Sequence, residues 1–255
     1  MRAWIVLSLV ILLSACLQSD GDIFSLALEG KDPALCAHVG NRTVKDVCFS
    51  KVAYALSNAS LCDRIKALEV KDSCLRAVAV AEENVSICEK IVWAEEGGRC
   101  FSDIARERSE SILCSRIMSN RTRDLCYFSV AVNRWDTMLC NVVLNETVEA
   151  SCLAVVNNDI GVCSRIRNLS GRDFCYLLFA TVRKDPVVCD RLNDSVSRDG
   201  CFLSIAVDTE VPLICREIAD PDEQQYCFGV VMLDERACDK IKDKEKKENC
   251  TKAVT

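Results

Sequence analysis

The stretch DPALCAHVGNRTVKDVCFSKVA, from Asp32 to Ala53, decides the fold: Cys36 and Cys48 stand twelve residues apart, each set in a short apolar face. The same twelve-residue step recurs in Cys62 with Cys74, Cys88 with Cys100, Cys114 with Cys126, Cys140 with Cys152, Cys163 with Cys175, Cys189 with Cys201, Cys215 with Cys227 and Cys238 with Cys250. The gap from one pair to the next is 14 residues six times and 11 twice, so the step is the unit and the connection is where length varies. A fixed unit copied nine times is the mark of a repeat architecture.

Within the unit, the position four before the first cysteine holds Asp32, Asn58, Asn84, Glu110, Asp136, Asp159, Asp185, Val211 and Asp234. Asp and Asn there accept the unpaired amides of a helix's first turn, which predicts an N-cap. Pro33, Pro186 and Pro212 follow directly, in the first helical position where a missing amide costs nothing. The residue before the first cysteine and the one three after it are aliphatic in nearly every unit, as in Leu35 and Val39. Four apart, they give helix A an apolar face about two turns long.

The second cysteine follows a basic–acidic pair in Lys45-Asp46, Lys71-Asp72, Arg123-Asp124, Arg172-Asp173, Arg198-Asp199 and Lys247-Glu248. An acidic residue near a helix N-terminus with a solvated basic neighbour accounts for these pairs, and a binding face is the alternative. Directly after that cysteine comes Phe49, Leu75, Phe101, Tyr127, Leu153, Tyr176, Phe202 or Phe228, with an aliphatic or Phe four after it and usually Ala five after it. These offsets share one side of a second amphipathic helix, helix B.

Helices this short do not persist alone. A disulfide closing a loop of 13 residues contributes about 3 kcal/mol in the chain-entropy account, and the constant step favours pairing within each unit. The rival pairing, from one unit to the next, has to span both 14 and 11 residues with one bond geometry. The expected fold is all-α, a solenoid of nine αα-hairpins of about 26 residues, over 32–255. Residues 22–31 read as a capping half-repeat, with Asp22 in the cysteine's place and Ile23, Leu26 and Ala27 on helix B offsets.

Nineteen cysteines in 255 residues belong to an oxidising compartment. The odd one is Cys16, which closes the apolar run Ala3 to Leu13 through Ser14 and Ala15. That run is too short to span a bilayer. It resembles a prokaryotic lipobox: residues 1–15 a lipoprotein signal peptide, Cys16 the lipidated residue, and 16–21 the anchor and tether. A plain signal peptide or an uncleaved anchor is the alternative. Lipidation leaves an even eighteen cysteines.

Eight of the twelve asparagines lie in Asn-X-Ser/Thr sequons. Asn41, Asn120, Asn145, Asn168 and Asn193 fall in the turn from helix A to helix B, and Asn58 and Asn84 at the opposite end. All seven are glycosylation candidates. Asn249 abuts Cys250 inside helix B and is not expected to carry sugar. That Asn is simply a good cap and turn residue is the competing explanation. Lipobox and sequons together point to an archaeal cell surface, with a bacterial envelope second.

Charge and chemistry narrow the function. The net charge of −6 is spread along the chain without a basic stripe, so nucleic acid is not an expected partner. His38 is the only histidine, which excludes His-based nucleophile activation and multi-histidine metal sites. Without a Cys-X-X-Cys the bridges read as inert. Trp93 and Trp135 mark either a binding patch or partial burial between repeats. The expectation is no enzyme, cofactor or metal, but a membrane-attached surface scaffold or recognition module for a protein, peptide or glycan. A purely structural envelope spacer is the second reading, and an envelope enzyme the third.

Overall fold

The computed structural model describes residues 19–255; Cys16 and the leader 1–15 lie outside the described residues. The fold is all-α, a helical-repeat solenoid of nine hairpins, with no strand among the described residues. Each hairpin is closed by its own disulfide, and the nine bonds join the cysteines twelve apart at Cα–Cα distances of 5.5–5.8 Å. All eighteen bonded cysteines are buried. The chain forms two compact units, one ending at Cys126 and one spanning Tyr127–Thr255.

Helix B runs over Arg42–Ala55, Leu68–Ala81, Ala94–Arg108, Asn120–Arg134, Glu146–Asn157, Leu169–Arg183, Ser195–Thr209, Pro221–Met232 and Lys244–Val254 in repeats 1 to 9. In the first unit the leading helix, Asp20–Glu29, packs on helix B of repeat 1, which packs on that of repeat 2 and so on to repeat 3. In the second unit the same stacking joins repeats 5 to 9. The leading helix starts with a capping box in which the Ser19 and Asp22 side chains take each other's backbone amides at 3.2 and 3.1 Å. Asp22, standing in the cysteine's place, thus tightens the helix end.

Helix A has four to six residues. It keeps about its two expected turns in Pro33–His38 and in the 3₁₀ helices Ala59–Arg64, Ser111–Arg116, Pro186–Arg191 and Pro212–Glu217, and falls to about one turn in repeats 3, 5, 6 and 9. All seven Asp and Asn residues at the expected cap do accept the amide two residues on, at 2.9–3.2 Å. The tighter 3₁₀ spacing suits so short a piece.

The turn from helix B into the next helix A is identical in all nine cases. Lys31, Ser57, Glu83, Ser109, Trp135, Asn158, Lys184, Glu210 and Leu233 each adopt a left-handed backbone with φ of 49–56°. The next residue's amide then bonds back five residues at 2.8–3.1 Å, to a carbonyl of Ala27, Ala53, Ala79, Ala105, Ala131, Ala154, Ala180, Ala206 or Gly229. This Schellman closure satisfies the helix end, and each of those alanines is fully buried. Gly229 stands where the others have Ala because a Cβ there would lie 2.6 Å from the Cys250 Sγ and 2.8 Å from the Cys238 Sγ.

The two 11-residue gaps resolve in the same frame. The missing turn comes out of helix B, which has 12 residues in repeats 5 and 8 against 14 or 15 in the other repeats from 1 to 7. The closing carbonyl moves from five residues after the second cysteine to two after it, at Ala154 and Gly229. Leu153 and Phe228, core anchors by sequence position, are accordingly only partly buried.

Between successive repeats the structure places an aspartate clasp. Asp20 accepts the amides of Gly40 and Asn41 at 2.8 and 2.7 Å, Asp46 those of Lys66 and Ala67 at 3.1 and 3.0 Å, and Asp72 those of Val92 and Trp93 at 3.3 and 2.8 Å. Asp199 takes Ala219 and Asp220 at 3.1 and 2.9 Å, and Asp222 takes Lys242 and Asp243 at 3.1 and 2.8 Å. In every case the partners lie 20 and 21 residues ahead. In repeat 8 the clasping acid sits one turn earlier relative to the cysteine, at Asp222, which keeps that interval constant across the shorter gap. The acidic partners Asp46, Asp72 and Asp199 lie near the helix B N-terminus as expected, but each is buried and turned to the next repeat's turn, which the pairs did not announce.

Two outcomes follow from these turns. Asp72→Ala strips two amides of their acceptor at a fully buried site, and is expected to cost about 2–4 kcal/mol; hydrogen exchange at Val92 and Trp93 should accelerate at least about tenfold. Leu233→Asn puts an αL-tolerant residue at an exposed left-handed position, and should raise the thermal midpoint by relieving up to about 1 kcal/mol of backbone strain.

Candidate recognition edge

In every repeat the A-to-B turn and the first turn of helix B lie at the same end of the hairpin, the turn edge of each unit. Helix B is capped there by Asn41, Asn145, Asn168, Asp194, Asp220 and Asp243, each side chain accepting a first-turn amide. Ser119 serves repeat 4, with a longer bond of 3.4 Å from the Thr122 amide.

Four shallow grooves lie on this edge, and their charge differs from place to place. The first, about 410 Å³, is lined by Arg42, Lys45, Arg64 and Lys66, with Phe49 at its base and Asp63 at its rim. A second, about 550 Å³, includes Arg76, Asp103, Arg99 and Arg121. Arg76 ties repeat 2 to repeat 3 through Glu96 and Asp103, both at 2.7 Å. That cross-link stands at the repeat whose clasp position is Gly98, where a Cβ would come within 3.1 Å of the Ile117 Cγ2. A third, about 560 Å³, presents Arg165 and Arg167 opposite Glu146. The fourth, about 710 Å³, is acidic, with Asp220, Asp222, Glu223, Asp243 and Glu245 around Lys246. Its lysine bridges Glu223 at 2.6 Å, and that hydrogen bond, ahead of the charge attraction, raises the ammonium's pKa.

A second recurrent contact was not anticipated from the sequence. Arg64 lies over the Phe49 ring at 5.3 Å, Arg116 over Phe101 at 4.8 Å and Arg191 over Tyr176 at 5.7 Å. Each arginine stands two residues after a first cysteine and covers the aromatic that follows the previous repeat's second cysteine. The signal was present: His38, Lys90, Arg165 and Lys240 occupy the same place in other repeats. The clasping acid had a signal too, in the constant interval from Asp20, Asp46, Asp72 and Asp199 to the next turn.

The sequons separate by their bonding. Asn41, Asn145 and Asn168 cap helix B, whereas Asn120 has moved out of the turn to become the first residue of its helix. Asn58 and Asn84 cap helix A on the other edge, each taking the hydroxyl of its own sequon serine, Ser60 or Ser86, at 2.7 and 2.6 Å. Asn193 is different: its amide Nδ2 donates to the Asp173 Oδ1 at 2.9 Å, so the side chain makes the link that a backbone amide makes elsewhere. Asn249 lies inside the last helix B. Trp93 and Trp135 are half exposed. Trp93 stands at the turn edge and Trp135 in the opposite turn, beneath the Arg183 guanidinium at 4.3 Å.

His38 is exposed at the end of its helix and lines none of these four grooves. Every cysteine among the described residues is in a disulfide, and none of their groups of His, Cys, Asp and Glu is arranged to hold a metal. What the grooves offer is ion pairing, hydrogen bonding and aromatic contact.

The fold and edge define a class, a disulfide-stapled helical-repeat protein. Nine structural disulfides place it in an oxidising, extracytoplasmic environment. No helix of the described residues is long and apolar enough to cross a membrane. Neither protein-family models, nor curated proteins, nor solved structures give a match to the chain.

The exposed clasps carry a pH signature. The amides of Gly40 and then Asn41 hold Asp20 below the ordinary aspartate value, and those of Lys242 and then Asp243 do the same for Asp222. A depressed folded value means the clasp is fully stabilising above the unfolded value, about 4, and is lost as pH falls through the folded one. Protection of the Gly40, Asn41, Lys242 and Asp243 amides should therefore decline below about pH 4, and Asp222→Asn should remove that dependence at Lys242 and Asp243 alone.

Proposed function

We propose that this chain is a lipid-anchored, glycosylated surface protein whose turn edge recognises a protein, peptide or glycan without catalysing a reaction. The observation that carries the reading is an invariant frame with a variable rim. Disulfides and left-handed turns recur in every repeat, while the grooves beside the A-to-B turns differ in charge, from basic at repeats 1 and 2 to acidic at repeats 8 and 9. A frame that fixes backbone and varies only outward side chains suits recognition by complementary charge. The anchor is Cys16, the membrane is the outer face of the cytoplasmic membrane, and the sugars are carried by the sequon asparagines. An archaeal surface accounts for lipobox and sequons together.

Two measurements on the native protein test this. Mass spectrometry of the unreduced chain should find lipid on Cys16 and hexose-rich adducts at sequons; an unmodified chain would remove the anchored-glycoprotein reading. Affinity capture from intact envelopes should retain a partner that charge reversal at the first groove, Arg42→Glu with Lys45→Glu, releases at least about tenfold. Capture indifferent to every groove reversal would leave the envelope spacer, in which stiffness alone is the function.

A further inference from the structure

Repeats 2 and 3 break the pattern of the turn edge in two ways at once. The cap of helix B is Asn, Ser or Asp in the other seven repeats, but here it is Ala67 and Trp93, and neither makes a side-chain cap bond. A polar cap is worth keeping at a helix start, so its loss in two adjacent repeats asks for a compensating use. Trp93 is 53% exposed in the cap's place, next to Val92 at 67%, and Leu68 follows Ala67 at 44%; exposed apolar residues also stand at the places of Leu68 and Val92 in Leu169, Met118 and Leu144, but there beside a polar cap. The sequons change ends in the same two repeats. Repeats 1, 4, 5, 6 and 7 carry theirs at this edge, in Asn41, Asn120, Asn145, Asn168 and Asn193, whereas repeats 2 and 3 carry Asn58 and Asn84 on the opposite edge.

The charges around this bare patch are uneven. Asp63 is paired with Lys71, Glu89 with Arg116, Glu95 with Arg99 and Glu96 with Arg76. Among the described residues Lys66, Lys90 and Glu69 have no ion-pair partner and all three are exposed, which leaves the unpaired charge basic by one. Tryptophan, short aliphatics and unpaired lysines are the groups that settle at a bilayer's headgroup level over acidic lipid.

Reach favours the same occupant. Three residues separate Cys16 from Asp20, where the leading helix begins. Fully extended, that tether spans no more than about 14 Å, so an anchored chain holds its first repeats against the bilayer.

We propose that the A-to-B edge of repeats 2 and 3 is a second membrane contact. Leu68, Val92 and Trp93 enter the headgroup–acyl boundary, and Lys66 and Lys90 meet acidic headgroups. The inference rests on the anchor read at Cys16. Its use is to convert a single reversible lipid attachment into a stable one and to turn the Asn58 and Asn84 edge away from the bilayer.

The test uses the full chain, purified with its own lipid and reconstituted into vesicles of neutral phospholipid with about one-third acidic lipid, with or without bromine on the acyl chains. Trp93 emission should shift to the blue and fall at least about twofold on bromination, and Trp93→Phe should abolish the quenched component. Flotation of the same vesicles, with Cys16→Ser as control, reports the anchor separately. A floating chain whose Trp93 is unquenched overturns the edge contact and leaves the anchor standing. Quenched Trp93 with undiminished flotation of Cys16→Ser overturns the lipid on Cys16 and supports the edge. A wild-type chain that does not float overturns both, and Trp93 buried by a captured envelope protein in place of lipid overturns the edge contact.

Discussion

A helix of one or two turns cannot hold its own shape, and every hairpin among the described residues contains one. What keeps it in place is a sulfur bridge to helix B with Cα–Cα distances that stay within 5.5–5.8 Å through nine repeats. Nucleation entropy is thereby removed from the unfolded chain instead of being recovered from a large core. The bridge lies beside the buried alanine of the turn, and in repeat 8 it presses so near that alanine becomes Gly229. Closure of one hairpin and packing of the next are therefore the same event.

Stacking has its own lock. A carboxylate that collects the backbone amides of the cap residue and the residue before it satisfies donors that the cap side chain itself does not take, and it is directional, so register cannot slip. The interval of 20 and 21 residues holds even at Asp222, where the connection is three residues shorter. Sequence length was removed from helix B and the clasp moved by one turn to match. Other links add to it or stand in for it: Arg76 with Glu96 and Asp103 reinforces the Asp72 clasp between repeats 2 and 3, and the Asp173–Asn193 side-chain pair takes its place between repeats 6 and 7.

The frame leaves the turn edge free to vary, and that freedom is where function is sought. Its grooves carry opposite charge at the two ends of the chain, and at Ala67 and Trp93 the edge abandons the cap that its neighbours keep. Local structure is weakened there without a gain in packing, since the replacing side chains face solvent. Departures of this kind mark places selected for contact with something else.

The sequence by itself determined the repeat, its all-helical class, the pairing of eighteen cysteines and the caps of helix A, because each depends on residues within about one repeat of one another. Spacing is local information. It did not determine that helix A is 3₁₀ in four of the repeats, nor that the nine turns are left-handed, since residues as unlike as Trp135, Lys184 and Leu233 adopt φ near +52° without a glycine to announce it. Nor did it show that Asp46, Asp72 and Asp199 are buried, or that Arg64, Arg116 and Arg191 cover rings of the preceding repeat. Those facts were decided by tertiary structure. A residue's solvation depends on what the next repeat lays against it, and the backbone of a closing turn is set by the carbonyls and packing that it must satisfy, not by the propensity of the residue that occupies it.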